Sequence, residues 1–115
     1  MIRNASAMKV ETRDNMRGGS GTITFRHFFE KDEMKARSRL CAELTIPPGA
    51  SIGPHAHETE DEVYIITAGS GLLDDGQTRT RVAAGDAVLT GLGGSHAVIN
   101  DGAVDLKLIA VIMCY

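Results

Sequence analysis

The chain has few of the residues and patterns that mark several common protein classes. It has no tryptophan and only five other aromatic residues of the Phe and Tyr type, so a core must consist mainly of aliphatic side chains. Its two cysteines, Cys41 and Cys114, are too few and too far apart for a disulfide framework, which predicts reduced thiols and a cytoplasmic location. The net charge is −3, so no basic excess attracts nucleic acid or an anionic membrane.

Long apolar runs are also missing. The first ten residues lack the apolar centre of a signal peptide. No later stretch approaches the roughly 20 apolar residues that cross a membrane as a helix. The hydrophobic content of 43% and charged content of 23% are instead typical of a globular domain, and 115 residues suffice for one.

Glycine is abundant, and it separates short runs of β-branched and apolar residues. The 13 glycines fall mostly in turn signals such as Pro47-Pro48-Gly49 and Asp75-Gly76 between these runs. The predicted strands are Thr22–Glu30, Ser38–Ile46, Ser51–His57, Glu62–Thr67, Thr78–Val82, Asp86–Thr90, His96–Asn100 and Leu106–Met113. Strands at this close spacing predict an all-β sandwich or barrel.

The chain divides into a polar beginning and a strand-rich remainder. Residues 1–21 are polar and include Gly18-Gly19-Ser20-Gly21, so we expect an N-terminal arm, either disordered or packed on a partner subunit. Residues 22–115 are expected to form one barrel domain, in which only Glu30–Arg39 is a candidate helix. Several strands, Leu106–Met113 above all, are apolar on both faces, and a second copy of the chain would cover the outer one. We therefore expect a homodimer.

Two histidines one residue apart precede a run of acids. If Ser51–His57 and Glu62–Thr67 form a hairpin around the loop Glu58–Asp61, His57 lies opposite Glu62 and His55 opposite Tyr64. His55, His57 and Glu62 then share one face, and two imidazoles with one carboxylate are a ligand set for a divalent transition metal. The alternative is a solvated strand with two exposed imidazoles.

The remaining histidines and the arginines supply further candidates. His96 begins a strand after a glycine-rich turn and is available as a fourth ligand, whereas His27 lies in an apolar row that indicates core or interface. An anionic substrate would benefit from an arginine, since a guanidinium binds a carboxylate through two hydrogen bonds. Arg26, Arg79 and Arg81 are the candidates, although solvation of all three is the simpler interpretation.

Two spaced motifs run from residue 49 to residue 100. The first consists of Gly49, His55, His57, Glu62 and Gly69, and the second of Gly85, Gly91, Gly93, His96 and Asn100. In their residues, spacing and order they resemble the two motifs of the cupin superfamily, and the chain looks like a small single-domain metal-binding member. Gly91 stands where the family motif has proline, which predicts a looser turn before His96.

The resemblance implies a fold and a metal site. Cupins fold as a double-stranded β-helix, also called a jelly-roll β-barrel, and commonly bind one divalent metal through three histidines and one glutamate. By position the ligands here are His55, His57, Glu62 and His96. We favour Mn or Fe for catalysis, while Zn, Ni, Co and Cu also suit these ligands.

Strand alternation indicates which residues surround such a metal. Tyr64 and Ile66 share the face of Glu62, and Val98 shares that of His96, so these three are expected to line a substrate pocket. Glu60, as a solvated loop acid, is expected to matter little for metal binding, in contrast to Glu62.

Two functions follow from the resemblance. The first is a metal-dependent enzyme acting on a small polar molecule, as a carboxylate decarboxylase, a dioxygenase or a sugar isomerase. No general acid or base stands out in the sequence, so the catalytic residues are not identified. The alternative is a module that binds or senses a small ligand without chemistry, in which the metal is structural.

Overall fold

Ten strands in two antiparallel sheets enclose the core. The computed structural model describes all 115 residues. The strands are β1 Lys9–Asp14, β2 Thr22–His27, β3 Ser38–Ile46, β4 Ser51–Ala56, β5 Glu60–Ala68, β6 Ser70–Asp74, β7 Arg79–Ala83, β8 Ala87–Thr90, β9 Ser95–Ile99 and β10 Leu106–Cys114. The larger sheet has the order β1-β2-β3-β10-β5-β8 and the smaller the order β4-β9-β6-β7. This is the double-stranded β-helix that the sequence predicts.

Alternating side chains on the central strands build the core between the sheets. Along β3, Leu40, Ala42, Leu44 and Ile46 are buried while the residues between them are not. β10 has the same alternation, and it pairs with β3 on one side and with β5 on the other. These strands contribute most of a cluster of 17 buried residues. Each large aliphatic side chain in it stabilises the fold by roughly 1.5–3 kcal/mol.

All eight predicted strands are present, and two more were missed. β1 was missed because its residues are polar and mostly exposed, so it has no apolar alternation. β6 was missed because Gly69-Ser70-Gly71 was interpreted as a turn, whereas only Gly69 has a positive φ. The candidate helix Glu30–Arg39 is not an α-helix: the segment contains one 3-10 turn, Lys31–Glu33. No helix has the length and apolar character needed to cross a membrane.

Residues 1–21 extend the larger sheet of their own chain. β1 pairs with β2 over six residue pairs, from Lys9 with His27 to Asp14 with Thr22. The 3-10 turn Met16–Gly18 follows and packs on β4. The division of the chain at residue 21 and the packing of residues 1–21 on a partner subunit stay predictions.

The predicted hairpin between β4 and β5 is wrong. β4 pairs with β9 in the smaller sheet, and β5 pairs with β10 and β8 in the larger one. The partner of His55 is therefore His96 rather than Tyr64, and the chain crosses from one sheet to the other between His57 and Glu62. Alternation shows which face a residue occupies, but not which strand lies beside it.

Candidate metal centre

The four predicted ligands meet inside one end of the barrel. His55 comes from β4, His57 follows β4, Glu62 lies on β5 and His96 on β9, so both sheets contribute. The ligand atoms of the four side chains all lie within 4.8 Å of one another. Three of the four residues are buried, and His55 is partly exposed.

A β-bulge turns the two neighbouring histidines inward. The pairing of β4 with β9 shifts between Ile52 and His55, so β4 has one extra residue there. Without the bulge, alternation would place Ile52 and His55 on opposite faces. Pro54 is the exposed residue at this irregularity, a position that tolerates a residue without an N–H.

The inner ring nitrogens and one carboxylate oxygen approach each other closely. His96 Nε2 lies 3.0 Å from His57 Nε2 and 3.1 Å from His55 Nε2. Glu62 Oε1 lies 3.1 Å from His57 Nε2 and 2.9 Å from His96 Nε2. Four donor atoms thus point toward one small volume.

In each imidazole the outer nitrogen, Nδ1, has its own hydrogen-bond partner. Nδ1 of His55 lies 2.8 Å from the carbonyl oxygen of Gly53, and Nδ1 of His57 lies 2.8 Å from Glu60 Oε1. Nδ1 of His96 lies 3.0 Å from Thr90 Oγ1. The carbonyl and the carboxylate can only accept, so Nδ1 of His55 and of His57 carries the proton. Their Nε2 atoms therefore present a lone pair to the cluster, which is how metal-binding histidines are held.

The donor set fits a divalent metal ion. Glu62 Oε1 is buried and has no hydrogen-bond partner, although a buried carboxylate oxygen without a partner is costly. Neighbouring ligands at 2.0–2.2 Å from one ion lie about 3 Å apart when the angle between them is near 90°. The four separations of 2.9–3.1 Å agree with that value.

Burial and neighbouring charges shift the pKa values of three side chains in and around the cluster. Burial lowers the pKa of His55, which favours the neutral imidazole that a metal requires. Burial also raises the pKa of Tyr64 well above its usual value, so the phenol keeps its proton. A hydrogen bond from Arg39 lowers the pKa of Glu60 to about 2, so this carboxylate is ionised beside His57.

A cavity of about 90 Å³ opens from the cluster. Tyr64, expected in the pocket, lines it and stacks on His96 with ring centroids 4.8 Å apart. Ile66 and Val98, also expected there, pack in the hydrophobic core and are not part of the cavity lining, so the predicted pocket must be corrected for both. The lining comprises Arg13, Met16, Arg17, Phe25, His27, Arg39, Leu40, Leu44, His55, His57, Glu62, Tyr64 and Ile112.

The arginines of the cavity are not those considered from the sequence. Arg26, Arg79 and Arg81 lie outside it and form ion pairs with Glu43, Asp74 and Asp101 respectively. Three other arginines, Arg13, Arg17 and Arg39, line the cavity instead. If the sequence had indicated that Lys9–Asp14 is a strand, Arg13 could have been placed beside β2.

A left-handed turn directs Arg17 toward the cluster. Its φ of 55° is a conformation that costs a non-glycine residue about 1 kcal/mol or more. The turn packs directly on β4, since a Cβ atom on Gly53 would lie 2.1 Å from the Arg17 carbonyl oxygen. Arg17 forms no ion pair, whereas Arg13 is paired with Glu11 at 3.0 Å and Arg39 is paired with Glu60. Its guanidinium is the unpaired positive charge of the cavity.

His27 belongs to the cavity wall rather than to the metal cluster. Its Nε2 lies 2.7 Å from Glu11 Oε1, and its ring stacks on Phe25. The hydrogen bond from His27 lowers the pKa of Glu11. His27 thus lines the cavity away from the four clustered side chains and is hydrogen-bonded to Glu11, which lies outside the lining.

Glu60 is not the solvated loop residue that the sequence predicted. It begins β5, its side chain is only 14% exposed, and it accepts hydrogen bonds from both His57 and Arg39. The placement of Glu60 as a solvated loop residue is therefore wrong, and the expected small effect of Glu60 on metal binding, which rested on that placement, stays a prediction. Spacing could have found Glu60, because a residue three positions after His57 can reach that ring across a tight turn.

Gly91, which departs from the family motif, lies close to the side chain of Asp61, which would have to move to make room for a larger residue. A Cβ atom there would lie 1.9 Å from Asp61 Oδ1, and Asp61 also accepts a hydrogen bond from Tyr115. The turn is not loose: Gly93 N–H donates to the His57 carbonyl oxygen, and His57 N–H donates to that of Gly94, both at 2.9 Å.

The structure is a jelly-roll barrel with a cluster of three histidines and one glutamate that could hold a metal ion. Residues 42–112 match the family model described as "Cupin domain". The chain belongs to the cupin family.

Similar proteins include one from Thermotoga maritima that is named an oxalate-binding protein. It is 39% identical over 113 residues, which cover 98% of this chain and 93% of that protein. A crystal structure of a predicted oxalate decarboxylase from Thermotoga maritima superposes with a TM-score of 0.94 at 38% identity and covers all of both chains. The polyketide cyclase RemF from Streptomyces resistomycificus has a TM-score of 0.81 at 23% identity, over all of this chain and 80% of that one, and shows the fold alone.

Proposed function

We propose that this cupin binds one divalent transition metal and, beside it, a small dicarboxylate of the oxalate class. The observation that carries the proposal is the convergence of three oriented imidazoles and the unpartnered Glu62 oxygen at a cavity that contains Arg17. The names given to the similar Thermotoga maritima sequence and to the similar Thermotoga maritima crystal structure support the ligand class.

His55, His57, Glu62 and His96 would hold the metal. When bound, the metal supplies a Lewis acid that attracts a carboxylate oxygen. Mn and Fe remain our preference, and Zn, Ni, Co and Cu suit the same nitrogen and oxygen donors. The metal also gives the buried Glu62 carboxylate the positive partner that the protein chain does not provide.

The cavity favours a compact anion. One carboxylate of oxalate would face the metal, and the other would receive two parallel hydrogen bonds from the unpaired guanidinium of Arg17. A volume of about 90 Å³ holds a molecule of a few non-hydrogen atoms and is small for a sugar. Tyr64 lines the same cavity with its hydroxyl 3.5 Å from His96 Nε2, and its protonated phenol would donate a hydrogen bond to that anion.

Titration calorimetry on metal-loaded protein tests the proposal. Wild type should bind oxalate more tightly than acetate, and Arg17→Gln should lose about 10-fold or more in oxalate affinity because it removes a charged hydrogen-bond donor. Affinity for the metal alone should not change. Arg79→Gln, which alters an arginine paired outside the cavity, is the matched control. Equal oxalate affinities of wild type and Arg17→Gln would contradict the proposal.

Decarboxylation of the bound dicarboxylate is a second candidate function. Breaking the carbon–carbon bond of oxalate releases CO2 and needs one proton for the remaining formate carbon. The observation that favours this reaction is His27, which lines the cavity and is hydrogen-bonded to Glu11, since this pair can hold that proton. Formate and CO2 from metal-loaded wild type, but not from His27→Gln, would support decarboxylation. Tight binding without either product would leave binding as the function.

A homodimer and a cytoplasmic location are part of the proposal. The outer face of the larger sheet has an apolar area in which Ile65, Leu89 and Met113 are all more than 40% exposed. A second copy of the chain with the same apolar area is the partner that we propose for it. The free thiols of Cys41 and Cys114 are compatible with a reducing compartment.

A further inference from the structure

Arg39 lies between the cavity and the hydrogen bond that orients His57. Its Nε donates to Glu60 Oε2 at 2.7 Å, and its Nη2 donates to Glu60 Oε1 at 2.5 Å. The same Oε1 accepts the proton of His57 Nδ1 at 2.8 Å. A continuous line of polar contacts therefore runs from the cavity lining to one of the clustered imidazoles.

A β-bulge places Arg39 in this position. The register between β3 and β10 pairs Ile112 with Leu40 but Met113 with Ser38, so Arg39 is the extra residue. Such bulges redirect a side chain that strict alternation would send elsewhere. Here the redirected guanidinium reaches Glu60 and lines the cavity.

Only one edge of the Arg39 guanidinium is occupied. The edge formed by Nε and Nη2 binds Glu60, whereas Nη1 has no hydrogen-bond partner within the chain. A guanidinium offers a second pair of parallel donors through Nη1 and Nη2, which matches a carboxylate. Arg39 can thus hold Glu60 and a bound anion at the same time.

We infer that Arg39 is a positioning residue that couples the two ligands. The carboxylate that Arg17 binds also accepts from the free edge of Arg39, since each of its oxygens has two lone pairs. Bound there, it strengthens metal binding through Glu60 and His57, and the metal strengthens anion binding in return. The inference rests on the proposed function for the identity of the anion. The predicted effect of Glu60 on metal binding in the absence of an anion does not depend on the proposed function.

The direction of the coupling follows from charge. When Arg39 shares its positive charge with a second carboxylate, Glu60 is less neutralised and becomes a stronger acceptor for His57 N–H. A stronger acceptor at Nδ1 makes Nε2 a better electron donor to a metal. Coupling between two ligands is reciprocal, so the anion must gain the same factor from the metal.

The first measurement uses the metal-free chain and Co²⁺ alone. Glu60→Gln should weaken Co²⁺ binding by about 10-fold or more, in the range found for residues that orient metal-binding histidines. Arg39→Met should weaken it in the same direction by less. The visible absorption spectrum of bound Co²⁺ should change in both variants, which a general loss of stability would not cause.

Arg26 and Glu43 provide the matched control. They form an ion pair at 3.0 Å with side chains 37% and 18% exposed, close to the 38% and 14% of Arg39 and Glu60. Arg26→Met and Glu43→Gln should leave both the Co²⁺ affinity and its spectrum unchanged. Melting temperatures of all four variants identify any that fail to fold.

The second measurement repeats the Co²⁺ titration with saturating oxalate. Oxalate should raise the Co²⁺ affinity of wild type at least about 5-fold, the lower end of typical coupling. Both Arg39→Met and Glu60→Gln should lose most of that gain. Glu60→Gln is the decisive variant for the coupling, because it keeps every positively charged side chain of the cavity. It removes only the carboxylate that connects Arg39 to His57.

The outcomes separate this inference from the proposed function. Co²⁺ affinities of Glu60→Gln and Arg39→Met within two-fold of wild type would overturn the inference, as would a full oxalate gain in Glu60→Gln. If wild type binds Co²⁺ but no oxalate, the proposed ligand class is wrong, and the coupling falls with it. The Co²⁺ measurements without oxalate would still decide whether Arg39 and Glu60 position His57.

Discussion

At the scale of single residues, each clustered histidine is oriented by a different kind of polar group. His55 donates to a backbone carbonyl, His57 to a carboxylate, and His96 contacts a hydroxyl. A carboxylate is the strongest of these acceptors, so His57 should be the most electron-rich of the three ligands. One bidentate ion pair, Arg39–Glu60, therefore has a larger effect on the site than its distance from the metal position suggests.

Gly91 shows how a single contact constrains a residue beside the site. We predict that Gly91→Ala lowers the free energy of unfolding by about 1–2 kcal/mol, because the new Cβ displaces the Asp61 carboxylate from the Tyr115 hydroxyl. Chemical denaturation measures the loss. In an Asp61→Ala background the same substitution should cost much less, and an equal cost in both backgrounds would contradict the explanation.

At the scale of elements, the cluster joins the two sheets. β4 and β9 of the smaller sheet supply histidines, and β5 of the larger sheet supplies Glu62. The strands contact each other mainly through apolar side chains elsewhere in the core. A metal held by all four residues would therefore connect the two sheets at this end of the barrel.

We expect added metal to raise the melting temperature of the metal-free protein. Saturation to 100 times the dissociation constant stabilises the folded state by about 2.7 kcal/mol, which corresponds to roughly 10 °C for a domain of this size. Scanning calorimetry with Mn²⁺ or Co²⁺ measures the shift, and a chelator should reverse it. His96→Ala should lose the shift. A shift of the same size in that variant would show that the metal binds elsewhere.

At the scale of the whole molecule, one sheet has apolar residues on both faces. Its inner face is the core, and on its outer face Val63 lies opposite Leu89 and Val111, while Ile65 lies opposite Ile109. These five neighbours form an apolar area across three strands. Exposed areas of this kind usually mark an interface.

We predict that Ile65→Lys converts a dimer into a monomer, because the charge would be buried without a partner in a symmetric contact. Light scattering at micromolar concentrations gives the mass. Val104→Lys is the matched control, since Val104 is 66% exposed and lies outside the strands. A monomeric wild type, or dissociation by both substitutions, would contradict the prediction.

Local patterns were sufficient for much of the fold and for His55, His57 and Glu62, whereas His96 was assigned as a ligand through the resemblance of the two motifs. β3 was predicted with its observed bounds because apolar residues alternate along all of it. β1 was not predicted, because the residues of this edge strand are polar and show no apolar alternation. Glu62 was selected through a hairpin that does not exist. The selection still agrees with the structure, because the crossing between sheets also brings Glu62 beside His57.

The sequence by itself determined the alternation of buried and exposed residues, the turns, and the spacing of His55, His57 and Glu62, because these depend on neighbours a few positions apart. Only the tertiary structure decided which strands pair, where β-bulges redirect His55 and Arg39, and which arginines enter the cavity. Those features depend on contacts between residues far apart in the chain. A pattern that repeats every two residues has no information about them.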